Sequence, residues 1–465
     1  MRLAIQLKRK VNTALTTADR GRAPTAQFVV SCLPFGQEQA LLSVMRLFSL
    51  ALLAALALST PAIAQDHQLE RAWVNDLQTI CDADRGRLWG VSLCGPVIIV
   101  DPSTRAAFAS QPDFGGVLRQ SAGAWTGTLP QGAPVANSTV EWSGVRWIML
   151  IGPPPADATE RQVLIAHEAW HRIQDQLGIP AVESSCAHLE TERGRYLMRL
   201  ELRALATAMR SRGTARRRAA EDALAFRAVR LAEFAGAAGD EAALDRNEGL
   251  AAYTGVKLGA AEPDFYAART LDHFDNNDAY PRSYAYASGP AYGLLLDTFL
   301  EGWRSSINLY TPADVLTATL NVSPPSARQL RRSAETYGGP AIAAEEQTRA
   351  IAREQRVAEL RRTFGGARLE LPLTNMQFEF DPMQVTVIDG LGSIYAQATV
   401  RDAWGEVIAT QGALIASDFG RLIVPAPAAD GLTGPGWALR LNPGFGVGAP
   451  DAQGVRQITA IPLAQ

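Results

Sequence analysis

The chain has 465 residues, 47% hydrophobic and 20% charged, with a formal net charge of −3. This is enough apolar mass for a large core, and Gly 39 with Pro 27 are too few for a fibrous or disordered chain. No basic patch interleaved with aromatics follows residue 64, so nucleic acid is not expected as a partner.

The first feature along the chain is a targeting signal. Met45-Arg46 opens the apolar run Leu47–Leu58, Ser59-Thr60-Pro61 breaks it, and Ala62-Ile63-Ala64 supplies small residues at a cleavage site. The run is too short to span a bilayer, and no later segment is apolar enough to do so. Residues 45–64 therefore read as a signal peptide, Gln65 as the mature N-terminus, and the product as periplasmic or secreted with no stable membrane span. Residues 1–44 precede the signal and read as an upstream mis-start, with Met45 the initiator. Export permits disulfides. Cys81 and Cys94 bracket a stretch that begins with turn character, Asp82–Gly86, and are expected to be joined, which leaves Cys186 free. No C-x-x-C pair exists, so a thiolate zinc site is not expected.

Residues 65–152 read as a β-rich subdomain. Val97–Val100 is a buried-strand run that stops at Asp101-Pro102. Thr139–Trp142 and Val145–Leu150 flank Ser143-Gly144 as a hairpin. Residues 153–364 read as mainly helical. Two Ala/Arg/Leu-rich stretches, at about 187–212 and 214–236, set Arg193, Arg199, Arg203, Arg210, Arg212, Arg216, Arg217 and Arg218 among Leu and Ala. That spacing predicts a solvated face on an amphipathic hairpin. Glu345–Phe364 reads as a solvated helix closed by Gly365-Gly366. Residues 365–465 switch to short β runs such as Val385–Ile388 and Gly420–Val424, a small all-β domain without a catalytic constellation. The expected fold class is α+β: an N-terminal β-rich segment, a mainly helical core and a C-terminal all-β domain.

The chemistry lies between Pro155 and Pro180. Asp157 is a natural N-cap with Glu160 three residues on, and Gly178 is a stop, so a helix is predicted from about Ala158 to Leu177. His167-Glu168-Ala169-Trp170-His171 falls at its middle. Residues i and i+4 share a helix face, so both imidazoles can reach one metal ion, and Glu168 can serve as general base on a water activated there. Two neutral imidazoles and one carboxylate suit Zn2+. The third histidine of the extended motif is missing, because Leu177 stands in its place. Two carboxylates compete instead. Glu190 lies 19 residues after His171 but begins a charged stretch. Glu248 lies in Asn247-Glu248-Gly249-Leu250-Ala251-Ala252-Tyr253, where a carboxylate in apolar surroundings needs a partner.

His167–His171 together with Asn247–Tyr253 resembles the gluzincin (HExxH…E) zinc metallopeptidases. The resemblance covers about residues 145–300 and implies His167, His171 and Glu248 as metal ligands and Glu168 as catalytic base. It extends to Tyr286-Ala287-Ser288-Gly289, a Y-x-x-G segment whose tyrosine donates to the oxyanion; Tyr286 fits that place, with Tyr284 as runner-up. The chain departs from the family in the long interval between His171 and Glu248, in the charge of Arg172, and in lacking G-x-M-E-N and N-E-x-x-S-D. What it implies is an exported zinc-dependent metallopeptidase acting on a peptide or protein substrate through a metal-activated water. Val145–Leu150 would then be an edge strand for the substrate backbone, and Asp272, His273 and Asp275 candidate partners of the ligands. The alternatives are an exported binding or assembly protein with a structural metal site, and a non-peptidase zinc hydrolase.

Overall fold

The computed structural model describes residues 67–461 except 122, 183, 278–279, 381–383 and 389, together with the two-residue strand Val29–Val30. The expected signal peptide at 45–64 lies outside the described residues. The fold is α+β: N-terminal strands, a central helical body and C-terminal sheets. Among the described residues no helix is long and apolar enough to cross a membrane.

The continuous run of described residues opens with a helix the sequence did not foreshadow, α1 (Gln68–Asp84). It buries Trp73, Leu77, Ile80 and Cys81 and ends where Arg85 turns left-handed. Cys81 stands in its last turn and pairs with Cys94 at a Cα–Cα separation of 5.7 Å, while Cys186 is free and buried.

A six-stranded sheet follows: β1 (Val97–Val100), β2 (Ala106–Ala109), β3 (Arg119–Ser121), β4 (Ala124–Thr128), β5 (Ser138–Trp142) and β6 (Val145–Ile151), in spatial order β3-β4-β2-β1-β6-β5. The predicted Ser143-Gly144 turn joins β5 to β6, and both of its residues take positive φ, as a tight hairpin turn requires. Strand β6 is not an edge strand. It lies between β1 and β5, and the edge is β5. The run Trp147–Leu150 is buried throughout because the two faces serve two cores. Ile148 and Leu150 join the helical core, and Trp147 and Met149 join a second cluster under the sheet's outer face.

The helical body comprises α2 (Ala158–Ile173), α3 (Glu192–Arg210), α4 (Gly213–Glu233), α5 (Ala237–Leu244), a π turn at Asp245–Gly249, α6 (Leu250–Gly259), α7 (Pro263–Phe274), α8 (Tyr280–Phe299), α9 (Pro312–Leu320), α10 (Ala327–Thr336) and α11 (Gly339–Gly365). The α3–α4 hairpin is only partly a solvated face. Arg193, Arg210, Arg212, Arg217 and Arg218 are exposed, but Arg199 and Arg216 are buried. Acidic residues far along the chain reach them: Glu346 of α11 binds Arg195 and Arg199, and Asp264 binds Arg216. Periodicity could not show this, because the partners come from other helices.

The C-terminal region is a sandwich. Strands β7 (Arg368–Pro372), β9 (Val385–Ile388), β10 (Gly392–Tyr395), β13 (Ala413–Ala416), β14 (Arg421–Pro425), β17 (Phe445–Val447) and β18 (Val455–Ala460) form one sheet. Strands β8 (Gln377–Phe380), β11 (Ala398–Asp402), β12 (Gly405–Ala409), β15 (Thr433–Gly434) and β16 (Trp437–Leu441) form the other, and Val29–Val30 joins it beside β8. Leu371, Leu422 and Val424 of the first sheet meet Phe378, Val400 and Trp437 of the second in one core. Phe364 of α11 packs with Ile394, Leu414 and Ile423, which ties the sandwich to the helical body.

Candidate metal centre

Helix α2 begins as its sequence demands. Asp157 caps it by accepting from Glu160 N at 2.9 Å. Glu160 does not return the bond. Its carboxylate accepts from Tyr266 at 2.6 Å and pairs with Arg269 at 2.8 Å, which pins α7 to the start of α2. Regular helix stops at Ile173, four residues before the predicted end, and turns continue to Gly178 at φ +71°. The side chain of Gln174, the first residue past the helix, is drawn into the site.

His167 and His171 sit one turn apart with their Nε2 atoms 3.2 Å from each other. The third group comes from the π turn, a wide turn of the kind often found at functional sites. Glu248 Oε2 lies 3.3 Å from His167 Nε2 and 3.6 Å from His171 Nε2. Among the described residues these three form the group able to hold a metal ion. Glu168 Oε1 stands 4.0 Å from His167 Nε2.

Close helix packing sets this geometry. A Cβ on Gly289 of α8 would lie 2.4 Å from Gly249 Cα, and a Cβ on Gly255 of α6 would lie 2.5 Å from the Val163 carbonyl oxygen of α2. Backbone therefore rests on backbone at both crossings, and Gly289 and Gly255 are there for approach.

The site is buried and under-satisfied. His167 and Glu168 are 6% and 4% exposed, and Glu168 Oε2 and Glu248 Oε2 receive no hydrogen bond. Burial pushes the Glu168 carboxyl up, against the opposing pull of the two histidines. Burial acts in the same sense on Glu248, but the facing His167 and His171 hold it well below the usual carboxylate range. Burial disfavours a charged His171, yet Glu248 outweighs it and raises that imidazole to about 9. A buried acceptor, Glu248 Oε2, facing a pair of imidazoles fits a site completed by a cation.

Two residues that the sequence reading missed support the ligands. His171 Nδ1 contacts Gln174 Oε1 at 2.9 Å, Gln174 Nε2 donates to Asn247 Oδ1 at 2.9 Å and to Pro180 O at 3.3 Å, and Asn247 Nδ2 donates to Glu248 Oε1 at 2.9 Å. The only signals in the sequence were the i+3 spacing of Gln174 from His171 and the adjacency of Asn247 to Glu248.

The other candidates separate clearly. Tyr286 is stacked on His167, with ring centroids 5.4 Å apart and an interplanar angle of 12°. Tyr284 points away, and its hydroxyl donates to Asp245 Oδ1 at 2.9 Å. Glu190 pairs with Arg353 at 3.1 Å and does not join the trio. Asp272 pairs with Arg210, and Asp275 with Arg199 and Arg203, so neither serves the ligands. His273 lies against the ring of Phe274. Comparison with protein-family models, curated proteins and solved structures finds no match to this chain.

Proposed function

We propose that the chain is an exported zinc-dependent metallopeptidase of the gluzincin kind, with His167, His171 and Glu248 as ligands and Glu168 as catalytic base. One observation carries this reading. Zinc bonds of about 2.0–2.1 Å in a tetrahedron set neighbouring donors about 3.3–3.4 Å apart. The three donor pairs here are separated by 3.2, 3.3 and 3.6 Å. A structural zinc site is closed by four protein ligands. Among the described residues this group has three, which favours a catalytic site with an open position.

A bound zinc ion supplies Lewis acidity toward a carbonyl and lowers the pKa of water. Glu168 is placed to take the proton of the attacking water and to pass it to the leaving amine. Its burial favours the protonated form that the second step needs. Tyr286 would donate to the oxyanion as the tetrahedral intermediate forms, and its stacking on His167 supports this role. Strand β5 packs against α2 and exposes its outer edge, so an extended peptide can pair with it and lie along the HExxH helix. The apolar run at 47–58 with its A-x-A site and the Cys81–Cys94 pairing support export.

The test is metal analysis of the purified exported protein together with a chelator-sensitive peptide-cleavage assay on wild type and Glu168→Gln. One zinc per chain is expected in both proteins. Cleavage should fall about 10²–10⁴-fold in Glu168→Gln, the usual contribution of a general base. A Glu168→Gln protein that cleaves as fast as wild type sinks the hydrolase reading, and zinc uptake without any hydrolysis favours a structural site.

A further inference from the structure

We infer that Gln174 and Asn247 are positioning residues for the metal centre: a one-directional relay of amide hydrogen bonds that starts at the Pro180 carbonyl and fixes which atoms of His171 and Glu248 face the metal. The inference rests on the metal-centre reading above and deepens it.

The direction of the relay follows from chemistry at its fixed end. A carboxamide can be turned over so that its oxygen and nitrogen exchange places, and the surroundings decide which way it lies. The Pro180 carbonyl can only accept, and it lies 3.3 Å from one end of the Gln174 amide, so that end is nitrogen. The other end, Oε1, then faces His171 Nδ1 at 2.9 Å. An amide oxygen can only accept, so Nδ1 carries the proton and Nε2 keeps its lone pair for a metal. The same Gln174 nitrogen reaches the second amide at 2.9 Å, so Asn247 presents its oxygen there. Its nitrogen is thereby committed to Glu248 Oε1 at 2.9 Å. An N–H donated to Oε1 engages that oxygen, which leaves Oε2 as the atom aimed at the two imidazoles.

The relay also joins the two elements that bear ligands. Gln174 caps α2 and is 3% exposed, while Asn247 stands on the π turn. The histidines and the glutamate come from segments more than 70 residues apart in the chain, and this is a direct side-chain bridge between them. Outer partners of this kind typically change metal affinity by about 10–100-fold when removed.

The experiment measures Zn2+ dissociation constants by competition with a chromophoric chelator, and the visible spectrum of the Co2+-loaded protein. The proteins are wild type, Gln174→Leu, Asn247→Leu, the double variant and Gln174→Glu, each checked for wild-type folding. Each Leu variant is expected to lose about 10–100-fold in Zn2+ affinity and to shift the Co2+ spectrum. The double variant should lose little more than the worse single, because the two residues act as one chain. Gln174→Glu keeps an acceptor at His171 Nδ1 and should recover part of the loss seen in Gln174→Leu. A mere packing role predicts the reverse, since a buried carboxylate is worse for packing than leucine. Folded Leu variants that bind Zn2+ within about twofold of wild type, or Gln174→Glu weaker than Gln174→Leu, overturn the relay and leave the metal reading standing. Wild-type protein that takes up no Zn2+ overturns both. Should Gln174→Leu fail to fold, Asn247→Leu and Gln174→Glu against wild type decide the question.

Discussion

Asp245 and Glu248 stand on the same π turn and face two different charge systems. Asp245 looks into a buried cluster, where Arg227 holds it at 2.5 Å, Arg230 binds Glu241 and Glu201 at 2.6 Å each, and Tyr292 donates to Glu201 at 2.7 Å. Burial alone would raise Glu241, but Arg230 and Arg227 hold it far below the carboxylate range. For Asp245 burial wins and the carboxyl rises to about 6, because Arg227 is shared with Glu241 and Glu201. Every carboxylate of that cluster has a guanidinium beside it. Glu248 has none among the described residues; its Oε2 faces two imidazoles instead. The contrast separates two uses of a buried carboxylate: one closed on arginines, the other facing two imidazoles in a group able to hold a cation.

The sharpest way to break this contrast is to empty each system in turn. His167→Ala, His171→Ala and Glu248→Ala each remove a ligand, and metal content should fall from one ion per chain to near zero while the fold holds. The loss in affinity should exceed the 10–100-fold typical of an outer partner. Metal analysis after dialysis checks it, and a Glu248→Ala protein that keeps its ion defeats the assignment.

Arg230→Met does the opposite. It removes the nearer of the two guanidiniums that face the fully buried Glu241 and Glu201, and leaves them only Arg227, which Asp245 also holds. Removing one partner of a buried pair typically costs about 3–5 kcal/mol, and chemical denaturation should show a loss of that size. Below the melting transition the variant should still bind its metal. A loss under about 1 kcal/mol would mean the cluster is not the closed structural element described here.

The two systems were unequally legible in the sequence. The candidate metal site was readable because its signals are local: i, i+4 histidines on a capped helix, and a lone glutamate in an apolar helical stretch. Spacing did not separate Glu190 from Glu248; the fold brings Glu248, and not Glu190, to the two histidines. The buried cluster was invisible, since its arginines sit among leucines and alanines at the spacing of a solvated face and only tertiary partners bury them. Helix α1 was missed because its one obvious marker, the cysteine pair, suggested a loop. The edge of the first sheet was misplaced by one strand, because a hairpin pattern does not say which arm finds a further neighbour. The sandwich followed from its period-two runs and frequent turn residues, but strand order did not.

Gly289→Ala tests the seam between the two systems. The added methyl would meet Gly249, next to Glu248, at 2.4 Å, and backbone cannot yield as a side chain can. Overpacking of this kind typically costs about 1–3 kcal/mol. The displaced turn should also weaken metal binding, whereas Gly132→Ala should leave metal binding unchanged, because Gly132 has open space around its Cβ position and no left-handed φ. Equal metal affinity in the two variants would show that the close crossing does not set the ligand.

The smallest effect belongs to the rejected carboxylate. Glu190 is partly exposed and bound to Arg353 at 3.1 Å, with both side chains about a third accessible. Exposed ion pairs of this type contribute about 0–1 kcal/mol, because water screens the charges and two long side chains must be ordered to form them. Glu190→Ala should therefore shift stability by about 0.5 kcal/mol or less and leave metal stoichiometry unchanged. Glu248→Ala under identical conditions supplies the contrast: the same chemical deletion, but of a buried oxygen that faces two imidazoles. If Glu190→Ala strips the metal while Glu248→Ala retains it, then the open carboxylate of the π turn is not the ligand, and the 19-residue interval after His171 was the better guide.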